Sequence, residues 1–392
     1  MPDKILFISY DGMTDPLGQS QVLPYLCGLS NSGTEIHLLS FEKPERFPEM
    51  QDLIRRICME YGITWHPHAY TKSPPVLSTL KDIRTMRAAI RRLDREHHFA
   101  ILHCRSYIAM QAAFPFQNAG KKILFDMRGF WADERVDGGL WNLEHTLYRR
   151  VYNFFKKQEK KWLERSDAVV SLTHAAADHI KAHYRVAPER LSVIPCCTDE
   201  TLFVPHPKPL KGPFTLLYSG SLGTWYLLKE MLDFFVQLRV YYPEAMFKIL
   251  TMEPESSIYE VSDKLGIERS ALIIKAVKRR DMALEMNGAD AGIFFLKQAF
   301  SKMASSPVKQ GEMMAMGIPL FCNEGVGDSS YILKTYNSGI VISEYTKEAY
   351  CQAIERFRET TFDPEAIRAG ALDYFSLAAG IRAYRAVYDR LL

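Results

Sequence analysis

Short apolar runs alternate with helical patterns along most of this chain, and they do so in two successive series. KILFIS (4–9), EIHLLS (35–40), ITWH (63–66), FAILH (99–103), KILFD (122–126), DAVVSL (167–172) and RLSVIP (190–195) make the first. FTLLYSG (214–220), AMFKILT (245–251), ALIIK (271–275), ADAGIFF (289–295), PLFC (319–322) and SGIVI (338–342) make the second. Runs this continuously apolar suit strands covered on both faces by helices. The rhythm predicts an α/β fold of two Rossmann-like parallel-sheet domains facing across a cleft. Ligands of such sheets bind outside the carboxyl ends of the strands, so functional residues are expected just after strands.

At 392 residues the chain exceeds a single ordinary core, which agrees with two domains. Pro205, Pro207, Pro209, Gly212 and Pro213 crowd together and read as a linker. The predicted domains are 1–197 and 198–375. A last helix, 376–392, has Leu377, Ile381, Tyr384, Val387 or Tyr388, and Leu391 on one face and needs a surface to cover. Lys plus Arg (49) nearly balance Asp plus Glu (46), which gives no ground for nucleic-acid binding. Seven Cys without paired spacing argue against a disulfide framework or a zinc site. The apolar run in MPDKILFISYDG reads as a first strand and not as a signal peptide. The expected location is the cytoplasm, with a place at the inner face of the membrane left open.

Several constellations follow predicted strands. In SYDGMTDPLGQSQ (9–21), Gly18, Gln19 and Ser20 open a helix whose free N–H groups suit an anion or a sugar hydroxyl; an ordinary loop with Ser20 as cap is the plainer alternative. His103 and Arg105 come after the fourth run and are expected at the cleft. Asp126-Met127-Arg128-Gly129 follows the fifth run, and Arg128 offers a planar fork suited to phosphate. Gly220 and Ser221 suit close approach of a diphosphate, or simply a tight turn. In SSPVKQGEMMAMGIP (305–319), Ser305 and Ser306 are placed at or near a helix cap, with Pro307 in the first turn. Lys309 adds a point charge there. Glu312 lies on the same helix face and could accept two hydrogen bonds from a vicinal diol such as ribose; a common surface Lys–Glu pair is the alternative.

Together these residues carry a resemblance. ILFISYDGMTDPLGQSQ, DMRGFWADE, IPCCTDETLF, LLYSGSLGTWY and SSPVKQGEMMAMGIP make the chain similar to glycosyltransferase family 4, retaining enzymes of the GT-B fold, over essentially its whole length. The resemblance implies a nucleotide-sugar donor bound mainly by the second domain. It also implies a glycan or lipid-linked acceptor at the first, in bacterial polysaccharide or glycoconjugate synthesis. Glu312 would fall on the ribose-binding acid, and Ser306, Pro307 and Lys309 near the diphosphate. Arg128 would stand where many relatives carry a histidine beside the donor sugar, with Gly18 on the loop facing that sugar. His103, Arg105 and Arg128 are the candidates for catalysis. The last helix would cross back to brace the first domain. Two departures stand out: Ala304 occupies the place of the family's first acid, and GSLGTWY lacks the Arg and Lys of many relatives. A non-catalytic sugar-nucleotide-binding protein is therefore the alternative; a dehydrogenase or epimerase lacks its glycine fingerprint. No Asp-x-Asp stands at a strand end, so no cofactor and no obligatory metal are expected.

Two basic, apolar-striped stretches, 80–95 and 145–165, suit an anionic bilayer holding a lipid-linked acceptor. Solvated faces of packed helices explain them equally well.

Overall fold

The structure is a computed structural model and describes residues 4–74, 76–206 and 212–392. The linker prolines Pro207 and Pro209 lie outside the described residues. The chain divides into two compact units, Met1–Pro195 with Leu377–Leu392, and Cys196–Ser376.

The first unit holds a seven-stranded sheet: β1 (Lys4–Ser9), β2 (Glu35–Glu42), β3 (Thr64–Ala69), β4 (Ile101–Arg105), β5 (Lys122–Asp126), β6 (Ala168–Ser171) and β7 (Leu191–Val193). Its spatial order is β3-β2-β1-β4-β5-β6-β7, with every neighbour parallel. The second unit holds six: β8 (Thr215–Ser219), β9 (Met246–Leu250), β10 (Leu272–Lys275), β11 (Ala291–Phe294), β12 (Leu320–Asn323) and β13 (Gly339–Ile342). Their order is β10-β9-β8-β11-β12-β13, again all parallel. In both sheets the first strand lies inside, and the order reverses beside it. That reversal opens a crevice at the carboxyl ends of β1 and β4 in one unit, and of β8 and β11 in the other.

Burial follows position in the sheet. Central strands such as β4 and β6 are buried throughout, whereas the edge strands β3 and β7 are mostly half-buried. β3 even carries Pro67, which an edge tolerates because one side of its ladder has no partner to bond. The uniform burial expected of every run therefore fails at the sheet edges, and β9, though interior, is half-buried at Met246 and Lys248.

The last helix, Leu377–Leu391, belongs to the first unit and buries Tyr384, Val387, Tyr388 and Leu391 there. In the second unit the helix Val308–Ala315 is buried at all but its first residue and packs against the helix Pro364–Phe375. A helix enclosed to that degree presents Lys309 and Glu312 to protein rather than to bulk water.

Candidate functional site

In the first unit, the loop after β1 is shaped by a residue that sequence reasoning passed over. Glu42, at the end of β2, accepts hydrogen bonds from the backbone N–H of Met13 (2.9 Å) and Thr14 (3.0 Å) and from the Thr14 hydroxyl (2.7 Å). The helix that follows is Pro16–Gln21, capped at Asp15. It starts earlier than the Gly18-Gln19-Ser20 opening expected, so Ser20 is a residue within it and not a cap. Pro fits at the first helical position because no N–H is needed there. Gly18 is buried against the loop, where a Cβ would come within 2.3 Å of the Gly12 carbonyl oxygen; its smallness serves packing. Gln19 donates from Nε2 to the Thr14 carbonyl at 3.2 Å.

β4 ends at Arg105, not at residue 103 as the sequence pattern suggested. This shift corrects the placement of His103 at an open strand end. His103 is 1% exposed in mid-strand, with Nδ1 2.7 Å from the Tyr388 hydroxyl and Nε2 3.5 Å from Asp126 Oδ2. Burial keeps its pKa below the ordinary histidine value. It is an interior polar residue under the last helix. Arg105 does reach the strand end, where it is buried and pairs with Asp11.

Arg128 lies just past β5 with a positive φ of 57°. Its Nη1 is 3.8 Å from Asp126 Oδ1. Burial alone would raise the Asp126 pKa, but Arg128, His103 and Arg105 outweigh it and hold the carboxyl below its usual range. The Tyr384 hydroxyl donates to the same carboxylate at 3.0 Å. Arg105, Arg128, His103 and Asp126 thus form one buried polar cluster, bound from above by two tyrosines of the last helix.

In the second unit, the chain leaves β8 at Gly220, whose φ of 110° requires glycine and whose N–H donates to the Leu250 carbonyl at 2.8 Å. The Ser221 carbonyl accepts from the Tyr218 hydroxyl. The chain then pairs with the segment after β11: Leu227 donates to Phe295, and Lys297 to Trp225, both at 2.9 Å. This return places Tyr226 over the start of the helix Val308–Ala315.

That helix begins after Pro307, which is its cap rather than part of its first turn. Ser305 and Ser306 precede the cap, and Ser306 Oγ accepts from the Cys196 N–H at 3.1 Å. Lys309 is 6% exposed, and its Nζ has no hydrogen-bond partner. The ammonium sits 3.9 Å from the Tyr218 ring centre and 3.4 Å from that of Tyr226. A Cβ on Gly220 would lie 3.2 Å from it. Burial presses the Lys309 pKa well down, while the two ring faces favour the cation. Glu312 is also 6% exposed, and its Oε1 accepts from Arg279 Nη1 at 2.8 Å. Burial raises its pKa against the pull of Arg279 and Lys309. Sequence reasoning missed Arg279 and Tyr226. The basic triplet Lys278-Arg279-Arg280 just beyond β10 was the available signal for the first. Among the described residues no group of His, Cys, Asp and Glu is placed to hold a metal ion.

Two doubly wound parallel sheets, each with polar residues gathered at its switch point, define a GT-B-type α/β protein. Residues 21–202 match the model of Glycosyltransferase Family 4. Over that stretch, which lies almost wholly in the first unit, the chain is similar to this glycosyltransferase family. No curated protein matches it in sequence. Among solved structures, sucrose-phosphate synthase from Thermosynechococcus elongatus is similar at 13% identity, with 99% of both chains covered and a TM-score of 0.73. Anabaena HepE in complex with UDP-glucose is similar at 14% identity, with 99% of both chains covered and a TM-score of 0.65. UDP-GlcNAc 2-epimerase from Neisseria meningitidis is similar at 10% identity, with 99% of this chain and 100% of that one covered and a TM-score of 0.59. Likeness at these identities establishes the fold and not the reaction.

Proposed function

We propose that this enzyme moves a sugar from a nucleotide-diphosphate sugar to a glycan or lipid-linked acceptor, with retention at the anomeric carbon, in bacterial cell-surface polysaccharide or glycoconjugate synthesis. The observation that carries this reading is the pairing of a buried, unbonded Lys309 ammonium beside Gly220 with the buried Glu312 carboxylate, both on one helix at a switch point. The diphosphate would take Lys309 and the free N–H groups at the start of Val308–Ala315, and the ribose diol would take Glu312. The solved Anabaena complex with UDP-glucose makes a uridine donor the first to test.

Chemistry at such a site rests on positioning and on stabilising the charge of the departing nucleotide diphosphate. Lys309 supplies that charge in the second unit, and Arg128 and Arg105 are the cations proposed to face the sugar from the first. A phosphate oxygen of the leaving group would take the proton of the attacking hydroxyl. The reading includes no obligatory divalent ion and a peripheral place on an anionic membrane.

A thermal-shift screen of UDP-, GDP- and ADP-sugars should single out one nucleotide, because a ligand that binds the native state raises the melting temperature by mass action. Release of that nucleoside diphosphate with crude lipid or glycan acceptor should follow, and should persist in EDTA. Binding without turnover on any acceptor would favour the non-catalytic alternative, which Ala304 keeps open.

A further inference from the structure

Glu312 can serve a ribose diol only as an ionised carboxylate aimed at the ligand, yet it sits where burial favours the neutral acid. Three side chains bear on this. Lys309, one turn earlier on the same helix, is turned into the Tyr218–Tyr226 pair and makes no hydrogen bond to Glu312. Arg368, on the helix packed alongside, donates to the carbonyls of Phe203, Ala315 and Glu200. Arg279 alone among the described residues donates to Glu312, at 2.8 Å.

Arg279 is held for that task. It stands in the one-turn helix Arg279–Asp281 after β10, and its guanidinium lies 5.5 Å from the Phe203 ring centre. The neighbouring Arg280 turns outward to Asp281 and is 78% exposed, against 26% for Arg279. One arginine of the pair is therefore folded inward, beside the Phe203 ring and bonded to Glu312, while the other faces outward.

We infer that Arg279 is the positioning residue of the nucleotide site: it holds the Glu312 carboxylate charged and oriented for the donor ribose. This rests on the assignment of Glu312 to ribose. It adds that the affinity of the site depends on a residue from a different strand end, contributed by β10.

Binding of the nucleoside diphosphate that the donor screen selects (UDP, GDP or ADP) would be followed by calorimetry from pH 6 to pH 9 in the wild type, Arg279→Gln, Arg279→Lys and Glu312→Gln. Without Arg279 the Glu312 pKa rises further, so the carboxylate is lost at the acid end and regained as pH rises. Arg279→Gln should bind at least about 10-fold more weakly at pH 6.5 and recover most of that loss by pH 9, a steeper pH profile than the wild type. Arg279→Lys should recover part of the affinity at pH 6.5, since an ammonium keeps the charge and loses the fork. Glu312→Gln should bind weakly at every pH. Wild-type affinity in folded Arg279→Gln, or a loss that is uniform across pH, would overturn the inference while leaving Glu312 in place. Unchanged affinity in Glu312→Gln would remove the ribose assignment, and the inference with it.

Discussion

At the scale of single residues, charge was easier to find than to assign. Arg128 and Glu312 are where the sequence put them, after β5 and on the helix after β11. His103 is not at a strand end, because a two-residue difference in the bounds of β4 moves it from rim to interior. Arg128 is the residue whose role is most open to test. Its fork is 3.8 Å from Asp126, and its backbone is left-handed, a conformation uncommon outside glycine. Arg128→Lys keeps the charge and loses the planar fork. Turnover measured by nucleotide release should fall by roughly 10-fold or more, the scale of one charge-assisted contact in a transition state. The melting temperature should move little. Wild-type kinetics would reduce Arg128 to a partner of Asp126.

At the scale of elements, the two basic helices separate into scaffold and surface. In Leu77–His97 the stripe Ile83, Met86, Ile90 and Leu93 is buried in the core, and Arg87 donates to the Gln111 and Ala112 carbonyls. That stripe cannot also enter a bilayer. In Thr146–Arg165, Leu147 and Phe154 are exposed two turns apart, with Arg149, Arg150 and Lys157 exposed beside them. Changing Arg149, Arg150 and Lys157 to Gln should therefore reduce sedimentation with anionic vesicles more than changing Arg84 and Arg91. Each such cation contributes roughly 1 kcal/mol near an anionic surface and is weakened by salt. A wild type that stays in the supernatant at low salt would dispose of the membrane proposal.

The sheet edge offers a second element-scale prediction. His37 Nδ1 and His66 Nε2 are 3.0 Å apart across β2 and β3, and the His97 ring lies tilted against His37 with ring centres 4.2 Å apart. Burial lowers the pKa of His37 and takes that of His66 down to about 4. Unfolding restores both toward about 6.5, so the unfolded chain binds more protons between these values. The stability these histidines contribute is complete above about pH 6.5 and is lost as pH falls toward 4. A pH series of melting temperatures should show a decline over that window, by a few degrees for a unit of this size. His66→Gln should flatten it; an unchanged slope would mean other groups set the acid limit.

At the scale of the whole molecule, the last helix is the part whose place in sequence least resembles its place in the fold. It follows the second unit and completes the first. Tyr384, Val387 and Tyr388 are each at most 3% exposed, and burial of such side chains stabilises by about 1.5–3 kcal/mol apiece. The two tyrosines also bond Asp126 and His103, which would otherwise lose partners in the interior. Deleting 377–392 should abolish the melting transition of the first unit. The second should keep its own, because no residue of that helix enters its core. Two native-like transitions in the truncated chain would refute this.

The sequence by itself determined the class of fold, because buried parallel strands must be apolar along their whole length, and that pattern is local. Each strand of the described residues overlaps an apolar run of the sequence, though the edge strand β3 does so only at its start, and the switch points came from the strand order. The Lys309–Glu312 spacing was legible for the same reason, since one helical turn fixes which side chains share a face. Only the tertiary structure decided which partner each charge has. Glu42 reaches residues 13 and 14 from another strand, Arg279 meets Glu312 across 33 positions, and Tyr388 meets His103 across 285. Such meetings depend on how strands are ordered in a sheet and where a returning chain crosses it. Periodicity records the face a residue shows, and burial then selects the partner.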